Sequence, residues 1–159
     1  MRIAVAAVGK LKEKFWREAI AEYNKRLAVY CRLEISEVND EAYAEGLSAA
    51  EAGKTKQREW ERLCRHLRAE TYLVALDVQG EPVSSEEFAA RIDKLTLNGH
   101  SDITFIIGGS LGLADQALKR AHWRLSFSKL TFPHQLMRVV LLEQIYRAIK
   151  ISRGEPYHK

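Results

Sequence analysis

Residues 102–121, DITFIIGGSLGLADQALKRA, decide the fold class. Asp102 to Ile107 is a short apolar run that reads as a buried strand. Gly108-Gly109-Ser110-Leu111-Gly112 is a glycine-rich loop, and about Ala114 to Ala121 reads as a short helix. The same strand, loop and helix order recurs on both sides. Upstream, Arg2 to Val8 reads as a buried strand, and Lys14 to Leu27 as a helix carrying Trp16, Ile20, Tyr23 and Leu27 on one face. Arg32 to Val38 alternates like a half-buried strand, and Asn39 to Leu47 is an acidic loop. Ser48 with Glu51 forms a capping box that opens a helix to about Arg68. Thr71 to Leu76 is a strand and Gln79 to Pro82 a turn. A second capping box, Ser84 with Glu87, opens a helix to Leu97 that Asn98-Gly99 ends. Downstream, Arg124 to Phe127 is a last strand. Thr131 to Pro133 then opens a long helix, with Pro133 in its first turn, running to about Ile151 before the tail Arg153 to Lys159. Alternation of this kind predicts an α/β fold with a mainly parallel sheet flanked by helices. No linker interrupts it, so residues 1–159 are expected to form a single domain.

Composition narrows the class. The chain has 159 residues, 47% hydrophobic and 29% charged, the balance of a soluble globular protein. The apolar run Ile3 to Val8 is too short to span a membrane. Gly9, Lys10, Lys12 and Lys14 follow it where a secretory signal would have its cleavage site, so a cytoplasmic protein is expected. Cys31 and Cys64 are isolated and read as reduced thiols. His66, His100, His122, His134 and His158 form no ligand pattern, so no metal site is expected.

Charge is segregated along the chain, whose net charge is +4. Residues 119–159 hold nine Lys/Arg against two acids, whereas the other 118 residues hold sixteen against nineteen. That asymmetry suggests a polyanion partner for the C-terminal quarter, of which nucleic acid is the commonest; a solvated basic helix is the plainer reading. In the last helix, 11 of the 19 residues from Pro133 to Ile151 are apolar and point nearly all round the axis. A helix of that kind must be covered on all sides. With a sheet on one side, a second subunit on the other predicts a homodimer through this helix.

Three strand ends are candidate ligand positions: Leu76-Asp77, Gly108-Gly109 and Phe127 to Phe132. Ligands of open α/β sheets bind outside the carboxyl ends of strands, and glycine there lets a ligand approach the backbone. The spacing GGxxG matches neither the dinucleotide fingerprint nor a P-loop. It is also a literal GxSxG, which would make Ser110 a hydrolase nucleophile with Glu143 or Glu155 and His158 following. That reading is weak, because Glu143 lies inside a helix and a triad needs geometry as well as order. The tail mixes Arg153, Tyr157, His158 and Lys159. It is either a frayed terminus or an arm whose rings stack on an unpaired base.

Longer stretches carry a resemblance: AVGKLKEKFWREAIAEYNKRL from Ala7, LDVQGEPVSSEEFA from Leu76, FIIGGSLGL from Phe105, and the 35 residues LSFSKLTFPHQLMRVVLLEQIYRAIKISRGEPYHK from Leu125. Over its whole length the chain resembles the RlmH family, the small SPOUT-class methyltransferases of bacterial large-subunit rRNA. The resemblance implies methyl transfer from S-adenosylmethionine to N3 of a pseudouridine in 23S rRNA, in the assembled 70S ribosome and not on DNA. It implies a homodimer with a C-terminal trefoil knot, which nothing in the residue pattern signals, since chains are generally unknotted. It also implies that S-adenosylmethionine contacts Leu76, Gly108 and the stretch Phe127, Ser128, Lys129, Leu130, Thr131 and Phe132. These positions coincide with the three strand ends. Leu111, where a polar residue is expected, departs from the pattern. For the reaction itself, the candidates are His158 as base or base-contacting group, Tyr157 as stacking platform, and Arg138 for RNA phosphate or the developing anion. His134 is an alternative base. A non-catalytic ribosome-binding protein with a vestigial cofactor pocket is the competing reading.

Overall fold

The computed structural model describes all 159 residues. Five strands alternate with five helices: β1 (Arg2–Val8), α1 (Lys14–Leu27), β2 (Arg32–Val38), α2 (Ala49–Cys64), β3 (Tyr72–Pro82), α3 (Ser85–Leu97), β4 (Asp102–Ile107), α4 (Asp115–Arg120), β5 (Trp123–Ser126) and α5 (His134–Ser152). The strands form one sheet in the order β2-β1-β4-β3-β5, and every pairing is parallel. Six of the seven residues of β1 and five of the six of β4 are buried. Unbroken apolar runs take the interior of a parallel sheet because helices cover both of its faces.

Two cores result. Ile3, Val5 and Ala7 point into a larger cluster with Leu27 of α1, Phe88 of α3, and Leu141 and Ile145 of α5. Ala6 and Val8 point the other way, onto Trp60 and Leu63 of α2 and Ala117 of α4. The two-residue period of β1 thus sorts its side chains between layers. No helix of the chain is long and apolar enough to cross a membrane.

Local signals explain most boundaries. Both capping boxes form, Ser48 with Glu51 and Ser84 with Glu87. Gly99, at φ +89, turns the chain after α3. Other expectations need correction. Helix α2 stops at Cys64, four residues before the predicted end, because His66 and Leu67 bond to carbonyls three residues back and close a tighter turn. Gln79 to Pro82 belongs to β3 rather than to a turn that leaves the sheet. The strand shifts register between Leu76 and Glu81, both of which lie opposite Leu125. Glu81 is anchored there by the Trp123 indole N–H at 3.0 Å and by Arg91 at 2.5 Å. Pro133 caps α5 rather than entering its first turn.

The tail is docked rather than frayed. Gly154, at φ +63, closes α5 with the Gly154 N–H on Ile151 O and the Glu155 N–H on Lys150 O. This Schellman arrangement turns the chain back along its own helix.

Candidate active site

A cavity of about 640 Å³ opens at the register shift of β3, where β4 and β5 end and α5 begins, so Leu76 and Asp77 lie within β3 rather than at its end. That volume suits a small cofactor. Seven of the eight residues expected to hold a cofactor line it: Leu76, Gly108, Phe127, Ser128, Leu130, Thr131 and Phe132. Lys129 does not; it is exposed, outside the cavity wall.

Each wall has a local cause. After β4 the chain folds into a tight turn in which the Gly112 N–H bonds Gly109 O at 3.0 Å. A Cβ on Gly108 would lie 2.6 Å from the Gly112 carbonyl carbon and 2.9 Å from Leu113 N, so the turn closes only around glycine. After β5, the Ser126 hydroxyl lies 3.0 Å from Val78 O and 3.1 Å from Ser128 O, and the Leu130 N–H bonds Ser128 Oγ at 2.9 Å. Those bonds set the 127–132 loop against the middle of β3, at its register shift. There Asp77 is held by Arg124 at 2.5 Å, and Gly80 lies where a Cβ would meet the Arg124 carbonyl at 2.7 Å.

The cavity is therefore mostly backbone and apolar side chain, with glycine where a ligand must come close. That is how the chain would admit a flat, polar-edged cofactor such as S-adenosylmethionine. Residues 1–158 match the family described as "Predicted SPOUT methyltransferase". The chain belongs to the SPOUT methyltransferase family. Its members draw their methyl group from S-adenosylmethionine. The chain is 55% identical, over all 159 residues and the full length of each relative, to the proteins named "Ribosomal RNA large subunit methyltransferase H" of Carboxydothermus hydrogenoformans and of Bifidobacterium adolescentis. Its fold also resembles that of a probable methylase family protein from Haemophilus influenzae Rd KW20, with a TM-score of 0.54 at 10% identity, covering 99% of this chain and 70% of that one.

In this SPOUT chain the hydrolase reading fails. Ser110 has no positive φ, unlike the strained serine of a nucleophile elbow, and its Oγ lies 2.7 Å from the Tyr43 hydroxyl rather than beside an imidazole.

Three residues expected to do chemistry, Arg138, Tyr157 and His158, do not line the cavity, although Arg138 lies directly behind its wall residue His134. Arg138 is 1% exposed, and its Nη2 donates to Val8 O at 3.0 Å and to Gly9 O at 2.6 Å. A group so enclosed does not reach an RNA phosphate, which corrects that expectation. The Tyr157 hydroxyl donates to Glu143 at 3.2 Å, its ring meets Tyr146 edge-on, and the Arg147 guanidinium lies 4.8 Å from its centre. Burial, with Glu143 beside it, pushes the Tyr157 phenol up to about 12, so it stays neutral. His158 sits between Arg147, 3.2 Å from Nδ1, and Glu86, 2.8 Å from Nε2. Measured from Met137 at the cavity, Glu143 and Tyr146 lie about 9 to 14 Å further along the helix axis.

The basic C-terminal quarter is also less free than its sequence suggests. Arg124 pairs with Asp77, Arg147 with Glu143, and Lys150 with Glu155, while Arg138 is buried. Lys119, Arg120, Lys129, Arg153 and Lys159 remain exposed.

Sequence reasoning missed Glu59. It is 5% exposed behind the glycine loop, where its Oε1 accepts the Glu41 N–H at 3.1 Å and its carboxylate lies 3.4 Å from a Cβ placed on Gly109. Burial pushes its carboxyl up. A signal was present: Thr55, Glu59, Trp60 and Leu63 share one face of α2, so the acid lies on the helix's inner side.

Proposed function

We propose that this protein transfers a methyl group from S-adenosylmethionine to N3 of a pseudouridine in 23S rRNA of the assembled 70S ribosome, in the cytoplasm. The observation that carries this reading is full-length identity of 55% to proteins named for methylation of large-subunit ribosomal RNA. Leu76, Gly108 and residues 127–132 would hold the cofactor, with Lys129 contributing through its backbone if at all. The bound cofactor supplies an activated methyl group. The chain's own residues must bind it, align N3 in line with that group and help the N3 proton leave; positioning alone supplies up to roughly 7–11 kcal/mol in ideal cases.

The working unit in this reading is a homodimer with a trefoil-knotted C-terminal segment. Helix α5 packs on α1 and α3 of the same chain, burying Leu141, Leu142, Ile145, Ala148 and Ile149, so a partner is needed over less of it than the sequence implies. What stays open is its first half, with Leu136, Val139 and Val140 half-buried, next to the exposed Leu130 and Phe132. A second copy seated there would bring another chain's tail toward the cavity. Tyr157 and His158, which lie too far along α5 to serve their own cavity, would then complete a composite site.

The test is transfer of labelled methyl from S-adenosylmethionine to 70S ribosomes lacking the modification, with mapping of the labelled nucleotide. Label at N3 of one pseudouridine is expected. Cofactor binding by calorimetry without transfer would instead favour a ribosome-binding protein. Deleting Tyr157 to Lys159 is expected to abolish transfer and leave cofactor affinity nearly unchanged; loss of cofactor binding would remove the tail from this role.

A further inference from the structure

His134 is the histidine of the cavity wall, and its imidazole packs against both the end of β1 and Arg138. One edge of the ring lies against the end of β1. A Cβ on Gly9, at φ +90, would come within 2.7 Å of His134 Cε1, so glycine there makes room for the imidazole. Arg138, one turn along α5, lies with Nη2 3.3 Å from His134 Nδ1. The same guanidinium is fixed from the other side by Val8 O and Gly9 O, with Glu37 of β2 3.4 Å from Nη1.

A guanidinium has only donors, so Nδ1 can face it only as an acceptor. The ring's single proton therefore belongs to Nε2. Burial, and then the charge of Arg138, hold the imidazolium below its ordinary range, while the more distant Asp40 and Glu13 act the other way. His134 Nε2 has no hydrogen-bond partner within the chain. Its N–H is an unused donor at a cavity that otherwise offers mainly backbone and apolar groups.

We propose that His134 is a fixed hydrogen-bond donor of the active site, presenting Nε2–H to a carbonyl or carboxylate oxygen of the bound reactants, and that it is not the base that takes the N3 proton. This rests on the methyltransferase reading above. An Nε2 that carries the ring's proton has no lone pair free to accept another, and protonation at Nδ1 would place an imidazolium N–H against the Arg138 guanidinium. A donor, by contrast, stabilises negative charge that gathers on an oxygen as a neighbouring N–H ionises. Two oxygens fit: a uracil carbonyl next to N3, or the carboxylate of the cofactor's methionine end.

The experiment combines histidine ¹⁵N spectra of the full-length protein with methyl transfer to unmodified 70S ribosomes by wild type, His134→Gln and His134→Ala, and calorimetry with S-adenosylmethionine. Expected spectra at about pH 8 show a protonated Nε2 and a bare Nδ1, with protonation of the ring displaced to lower pH than for an ordinary histidine. His134→Ala is expected to lose about tenfold, the effect of one missing hydrogen bond, and His134→Gln, whose amide still donates, to recover most of it. A loss confined to kcat assigns the uracil carbonyl. A loss confined to cofactor affinity assigns the carboxylate. A proton found on Nδ1, an alanine variant equal to wild type in both kcat and cofactor affinity, or a glutamine variant as impaired as alanine with the wild-type pH profile flattened, each overturns the proposal. Wild type that transfers no methyl overturns the functional reading instead, and the spectra still decide the state of His134.

Discussion

Gly108→Ala is expected to weaken S-adenosylmethionine binding by at least about 100-fold, because displacing a positioned loop by about 1 Å costs that much. The added methyl would lie 2.6 Å from the Gly112 carbonyl carbon, 2.7 Å from its oxygen and 2.9 Å from Leu113 N. All three are backbone atoms of the turn itself, so no side chain can rotate away to relieve the overlap. The turn must open, and it is the turn that walls the cavity. The neighbouring glycines give a graded control. At Gly109 the methyl would meet Val8 Cγ1 at 3.1 Å and Glu59 oxygens at 3.4 Å, side-chain atoms that can yield. At Gly112 there is open space but φ is +85, so alanine costs about 1–2 kcal/mol of backbone strain without a clash. Calorimetric titration of the three variants should therefore rank Gly108→Ala as much the worst binder. Equal affinities across the series would mean that the cofactor does not use this loop.

Arg138→Met is expected to destabilise the protein by about 1–3 kcal/mol, the cost of leaving the buried carbonyls at the end of β1 without their donor. For a chain of this length that is a fall in Tm of roughly 2–12 °C. Arg138 is 1% exposed and holds Val8 O, Gly9 O and, through Glu37, the end of β2. Methionine fills much of the volume but donates nothing, so the carbonyls at the end of β1 lose their partner in a dry environment. Thermal unfolding checks this directly. A variant that melts like wild type but binds ribosomes more weakly would return Arg138 to the RNA-contacting role that its place in a basic segment suggests. The same substitution frees His134 Nδ1, so its imidazole should titrate closer to the ordinary histidine range.

The strand and helix pattern of this chain is local chemistry. Ser48 and Ser84 cap helices through residues three positions on, Gly99 turns the chain by itself, and the apolar runs of β1 and β4 mark interior strands before any partner is known. The cavity's backbone positions were legible too, because strand ends and glycines are one-dimensional signals. What the sequence could not show is where long side chains go. Arg138, Arg147 and Lys150 look alike in a row of bases, yet Arg138 is buried on carbonyls, Arg147 pairs with Glu143 one turn back on its own helix, and Lys150 pairs with Glu155, which comes close only after the tail folds back. Glu59 stands behind Gly109, fifty positions away in sequence, and His134 acquires a fixed tautomer only because the Arg138 guanidinium, held by the carbonyls of β1, packs against its Nδ1. Local hydrogen bonds and hydrophobic period fix elements within a few residues, so they are written in the chain. Burial and pairing of charges depend on distances set by the whole fold, and only the tertiary structure decides them.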